Sequence, residues 1–136
     1  RCISGALKNS GVNPREIDYI SGHLTGTYAD ATEIQAWAKA LERTGRNFPY
    51  INSLKSMIGH TLGAAGAIES IATILQMNQS YIHENKNLKN VKPDIKEYVD
   101  EDRLPRKMTK KNIEIAIKSN FGFGDVNACI IFKKFK

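Results

Sequence analysis

No stretch of this chain approaches the roughly 18–20 consecutive apolar residues that a bilayer-spanning helix needs, so such a helix is excluded and no membrane partner is expected. The opening Arg1-Cys2-Ile3-Ser4-Gly5 has no apolar core of the kind a secretory signal requires, and there is no initiator Met. The expectation is therefore a segment of a longer cytoplasmic chain. There are only two cysteines, Cys2 and Cys129, far apart in sequence. That rules out a disulfide framework and is consistent with two reduced thiols. No internal repeat is present, and no block of one charge sign. The formal net charge is +6, but the densest basic run, Lys86 to Lys111, also holds Glu97, Asp100, Glu101 and Asp102. A nucleic-acid arm would not be so mixed, and no nucleic-acid partner is expected. What remains is an apolar fraction of 41% and a charged fraction of 25% in 136 residues, the make-up of one globular domain with a sizeable core.

Periodicity divides the chain. Ile3, Ala6 and Leu7 share a helical face that Gly11 terminates. Asn13-Pro14 makes a turn, and residues 17–20 read as a short buried strand. Asp30 followed by Glu33 reads as a capping box opening a helix with Ile34, Trp37, Ala38 and Leu41 on one side, ended by Gly45. Residues 50–53 form a further strand. From Gly63 to about Asn78 a helix is apolar on nearly every side. Its few polar positions, Glu69, Ser70, Thr73 and Gln76, are too few for a solvated face, so burial in a larger assembly is expected. Residues 80–112 form a long polar crossing. Strands at 113–118 and 126–134 close the chain around a turn at 120–124. The order of elements implies a layered α/β domain with a mixed sheet.

Three segments sit where strands end. Gly22-His23-Leu24-Thr25-Gly26-Thr27 follows the first strand, with small residues that let a ligand approach the backbone. A lone loop histidine is more often structural than catalytic. Between the second strand and the apolar helix runs Lys55-Ser56-Met57-Ile58-Gly59-His60-Thr61-Leu62-Gly63-Ala64-Ala65-Gly66, without the Gly-Lys-Ser/Thr ending of a phosphate loop. Gly63 and Gly66 are explained by close helix packing. Lys55, His60 and Glu69 are not, because titratable groups at the mouth of an apolar helix are costly to desolvate without a partner or a purpose. The third segment, Ser119-Asn120-Phe121-Gly122-Phe123-Gly124-Asp125, suits either an ordinary hairpin or a mobile apolar flap.

In this order the three segments resemble the C-terminal half of the β-ketoacyl-[acyl-carrier-protein] synthases of the thiolase-fold superfamily. The stretch Lys55 to Glu69 is the most specific, and the likeness runs over nearly the whole chain. The resemblance implies an α/β/α fold with a mixed sheet of the five-stranded type and a buried helix, residues 1–136 being the C-terminal domain of the synthase. It implies decarboxylative condensation of an acyl thioester with malonyl carried on acyl carrier protein, in fatty acid or polyketide synthesis, by a homodimer that needs no metal or other cofactor. Residue by residue, His23 and His60 match the histidines that stabilise the enolate, Lys55 the lysine beneath them and Glu69 the supporting carboxylate. Phe123 matches the gate whose amide joins the oxyanion hole, while Thr25, Thr27 and Phe121 fall at substrate-binding positions.

The family's nucleophilic cysteine lies in its N-terminal half, and neither Cys2 nor Cys129 has its context, so this chain alone is expected to be inactive. Leu24 and Tyr28 stand where Gly and Pro are usual, and Asp125-Val126 where Gly-Thr is usual; the step from His23 to Glu33 is one residue short. A thiolase would need a Cys-x-Gly near the C-terminus, absent at Gly122–Gly124. A catalytically inactive partner subunit that shapes the acyl tunnel, like a chain-length factor, remains the alternative, against which stands the joint presence of His23, Lys55 and His60.

Overall fold

The computed structural model describes residues 1–135. Helix α1 (Cys2–Ser10) stops at Gly11, whose φ of 65° is the left-handed cap that a side chain would strain. Asn13 and Glu16 form a reciprocal cap on a single 3₁₀ turn, Pro14–Glu16. Strand β1 (Tyr19–Ser21) leads through the His23 loop into α2 (Ala29–Leu41), which ends at Glu42 in the left-handed region, three residues before Gly45. Strand β2 (Tyr50–Asn52) is followed by the one-turn helix α3 (Lys55–Ile58), a 3₁₀ turn at Leu62–Ala64 and the long helix α4 (Ala65–Gln79). The polar crossing is partly ordered: β3 (Tyr81–Ile82) pairs antiparallel with β4 (Thr109–Lys110), and α5 (Pro93–Lys96) lies between them. Strands β5 (Ile115–Phe121) and β6 (Asn127–Lys133) form the closing hairpin.

The main sheet has four strands among the described residues, in the order β2-β1-β5-β6, fewer than the five the resemblance led us to expect. β1 is parallel to both β2 and β5, and β6 runs antiparallel to β5. Parallel strands share a C-terminal edge, and ligands gather at that edge in open α/β sheets. The His23 loop, the Lys55 turn and residues 119–121 all emerge there.

Alternation along the strands sends side chains to two layers. On one face Ile20, Ile51 and Ile117 pack with Leu7 of α1 and with Ile34 and Trp37 of α2, all essentially dry. On the other, Tyr19 and Ala116 meet Met77 of α4 together with Ile82 and Ile113. On α4 the few polar positions turn inward and large apolar side chains lie outside. Ala65, Glu69, Thr73 and Gln76, spaced by four, four and three residues, form one stripe and face inward. Ile68, Ile71, Ile74 and Leu75 lie outside, with Ile71 60% exposed. The polar residues face inward because they have partners there. Gln76 donates to the Tyr19 hydroxyl at 3.0 Å and accepts from the His83 amide at 2.8 Å.

Candidate active site

Helix α2 positions His23. The Glu33 carboxylate accepts the amide N–H groups of His23 and Leu24, both at 2.8 Å. Asp30 accepts those of Thr25 at 2.9 Å and Gly26 at 3.0 Å. The capping box read from Asp30 and Glu33 is thus corrected: α2 has no side-chain cap, and both carboxylates fold back onto the preceding loop. Glu33 is buried and also accepts from Trp37 Nε1 and Ser119 Oγ, each at 3.2 Å. Burial raises its carboxyl above the usual range, against the pull of those donors. Gly22 is required here, since a Cβ would lie 3.0 Å from Leu24 Cγ and 3.1 Å from Glu33 Oε1.

His60 arrives from the other side. Its Nδ1 accepts the Leu62 amide at 3.1 Å, so the neutral ring carries its proton on Nε2. Leu62 sits at φ 51°, a conformation that costs a non-glycine residue roughly 1–2 kcal/mol. The imidazoles of His23 and His60 converge, with centroids 5.2 Å apart and planes at 79°. Phe121 packs edge-on to His23 at 6.2 Å.

Behind His23 lies a charged cluster excluded from water. Lys55 Nζ donates to Glu69 Oε1 at 2.6 Å. Lys118 Nζ is 2.6 Å from Glu69 Oε2, an ion pair rather than an aligned hydrogen bond, and donates to the carbonyl of Ser119. The three side chains are at most 5% exposed. Burial alone would raise the Glu69 carboxyl, but the two ammonium groups outweigh it and hold the group below the usual range. His23 is pushed down to about 4, first by burial, then by Lys55, Lys118 and His60, with Glu69 opposing. It is therefore uncharged at neutral pH.

Thr25 and Thr27, their hydroxyls 3.1 Å apart, line a cavity of about 390 Å³ with Leu24, Lys55 and Lys86. Phe123 is not part of this gathering: its ring is wholly exposed on the 3₁₀ turn Phe123–Asp125, and of the two phenylalanines Phe121 faces His23. Asp125, where the family has Gly, adopts the left-handed φ of 59°. Cys129 is a poor nucleophile, its thiol pushed up to about 12 by burial and secondarily by Cys2. The sequence reading missed Glu33 as an anchor, and with it Ser119 and Lys118. The signal for Lys118 was a lysine ending the apolar strand Ile115-Ala116-Ile117.

His23, uncharged at neutral pH, and His60, whose Nδ1 is an acceptor, converge in front of a buried cationic cluster, an arrangement that suits stabilisation of an oxyanion. Comparison with known proteins shows the family. The model of the family described as "Beta-ketoacyl synthase, C-terminal domain" matches residues 1–89. The chain is 40% identical, over 99% of its length and 28% of the relative's, to the chloroplastic 3-oxoacyl-[acyl-carrier-protein] synthase I of Arabidopsis thaliana. Among solved structures, a type II PKS ketosynthase in complex with its acyl-carrier protein superposes with a TM-score of 0.84 at 31% identity, covering 100% of this chain and 32% of the other. The ishigamide ketosynthase/chain length factor gives 0.88 at 32% identity, with coverages of 98% and 32%. The chain thus spans under a third of the length of these relatives. Its fold is thiolase-like, and the chain belongs to the β-ketoacyl synthase family, through that family's C-terminal domain.

Proposed function

We propose that this chain supplies the decarboxylation and condensation half of a 3-oxoacyl-[acyl-carrier-protein] synthase site. The convergence of the His23 and His60 imidazoles carries the reading. The malonyl thioester carbonyl sits between His23 and His60, each donating one N–H. The bond to the carboxylate carbon breaks and CO₂ leaves, while the electron pair passes into an enolate whose oxygen the same donors hold. The enolate carbon attacks the acyl thioester on a cysteine in the remainder of the protein, and the thiolate departs. Lys55 and Glu69 support His23 from behind. Thr25 and Thr27 line the approach for the thioester arm, and Phe121 packs beside His23. Phe123, exposed on its turn, acts as a gate that closes when acyl and malonyl groups are loaded.

Acyl carrier protein is the proposed donor, and the likeness to a ketosynthase solved with its carrier protein supports it. The complete protein is proposed to act as a homodimer. The chain-length-factor alternative is disfavoured by the intact pairing of His23, His60, Lys55 and Glu69. The test uses the full-length protein and follows CO₂ release from malonyl-acyl carrier protein. His23→Ala and His60→Ala should each lower it about 10²-fold or more. Wild-type rates in either variant would refute the roles assigned here.

A further inference from the structure

Lys118 enters neither the sequence motifs nor the reaction just described, yet it is among the most buried side chains of the molecule, 1% exposed. Its register explains its reach. Lys118 pairs across the sheet with Ser21, two residues before His23, so it lies under the loop that bears the imidazole. Its neighbour Ser119 donates to the same Glu33 carboxylate that holds the His23 amide. A lysine–glutamate pair is neutral. A third member changes the sum, because Lys55 and Lys118 each take one oxygen of Glu69 and bring two positive charges to one negative within the triad, while the Glu33 carboxylate attracts Lys118 without an ion-pair contact.

We propose that Lys118 is a positioning residue: by occupying the second oxygen of Glu69 it places a second ammonium beneath His23, which opposes protonation of that imidazole and extends to lower pH the range in which it acts as a single N–H donor. The inference rests on the function proposed above. The charged and titratable groups around His23 are Lys55 on α3, Lys118 on β5, Glu69 on α4, Glu33 on α2 and His60 on the loop before α4. Of these, Glu69 favours the imidazolium, whereas Lys55, Lys118 and His60 oppose it. Burial draws the Lys118 ammonium itself below the usual lysine value, and Glu69 restrains that shift. Removing Lys118 still leaves Glu69 paired with Lys55, so no carboxylate is orphaned. A purely structural role and the proposed one therefore give different outcomes.

The experiment compares wild type, Lys118→Met, Lys118→Arg and His23→Ala in the full-length synthase. It records malonyl decarboxylation against pH, thermal stability, and the His23 titration by NMR of ¹³C-labelled histidine. In Lys118→Met, His23 should titrate about one unit higher than in wild type, the displacement expected from a like charge nearby. The acid limb of kcat/KM should move with it, while KM for malonyl-acyl carrier protein and the melting temperature hold. Lys118→Arg, which keeps the charge, should stay at the wild-type values. An unmoved titration in Lys118→Met, equal displacement in Lys118→Arg, or loss of the fold in Lys118→Met would each overturn the proposal. Wild-type decarboxylation in His23→Ala would instead sink the function assigned to the site, and the NMR titration would still decide the part played by Lys118.

Discussion

The two sides of the sheet are built on opposite plans. Toward α1 and α2 the interior is dry and apolar, with Ile20, Ile34, Trp37, Ile51 and Ile117 no more than 1% exposed. Toward α4 the buried stripe is Glu69, Thr73 and Gln76, and the isoleucines lie outside. The first side is held by area removed from water, about 25 cal/mol for each Å². The second joins a smaller apolar cluster, Tyr19, Met77, Ile82, Ile113 and Ala116, to paired polar groups that tolerate no missing partner. Apolar character along a helix therefore does not reveal which way it faces. In α4 the inward stripe carries the Glu69 carboxylate, and the outward stripe exposes Ile68, Ile71, Ile74 and Leu75.

Variants on the two sides test this contrast. The largest effect is expected for Glu69→Ala, which strands two buried ammonium groups and should cost about 3–5 kcal/mol in chemical denaturation. A loss below about 1 kcal/mol would mean that water reaches the cluster. On the apolar side, Ile34→Ala should cost about 2–5 kcal/mol through lost contacts and the cavity left behind. Mild acid should act through His23. His23 has its folded value at about 4, below the 6.5 of an unperturbed imidazole, so the unfolded chain binds the proton first as pH falls. Stability should decline between about pH 6.5 and 4, and His23→Gln should flatten part of that slope, read from melts at stepped pH. The smallest effect belongs to the outer stripe: Ile71→Asn should change the stability of this chain by under about 0.5 kcal/mol. The same change combined with Leu75→Asn should abolish binding of a hydrophobic dye and any self-association seen by sedimentation. Unchanged dye binding would place the sticky surface elsewhere, at Leu62 or Val126.

Much of this was legible in the residues. His23, Lys55, His60 and Glu69 stand in short linear motifs, and parallel pairing of β1 with β2 brings the first three to one edge of the sheet. Elements with a strong local signal appear close to where periodicity puts them, as with Gly11 ending α1 and the β5–β6 hairpin. What could not be read depends on contacts distant in sequence. Glu33 had a satisfactory local explanation as a cap, and only the folded loop shows it holding the His23 amide instead. Lys118 meets Glu69 across the sheet–helix interface, a pairing with no sequence spacing to betray it. Glu69 was expected to need a partner, but the groups that meet it and Gln76 could not be read, since Lys55, Lys118, Tyr19 and His83 come from other elements, while Thr73 bonds the Glu69 carbonyl of its own helix.

The loop between β1 and α2 is pinned at two places by carboxylates one turn apart on a single helix. Glu33 grips residues 23 and 24, and Asp30 gathers the amides of 25, 26 and 27. The reference point for His23 is therefore the rotational phase of α2, not the number of residues between strand and helix. Five consecutive amides are held in this way, Gly26 at φ 75° among them. The step from His23 to Glu33 is one residue short of the family's usual spacing, and the two grips still hold the loop so that the imidazole lies with its centroid 5.2 Å from that of His60. Changes in this loop should displace His23 only where they break the hold of Asp30 or Glu33.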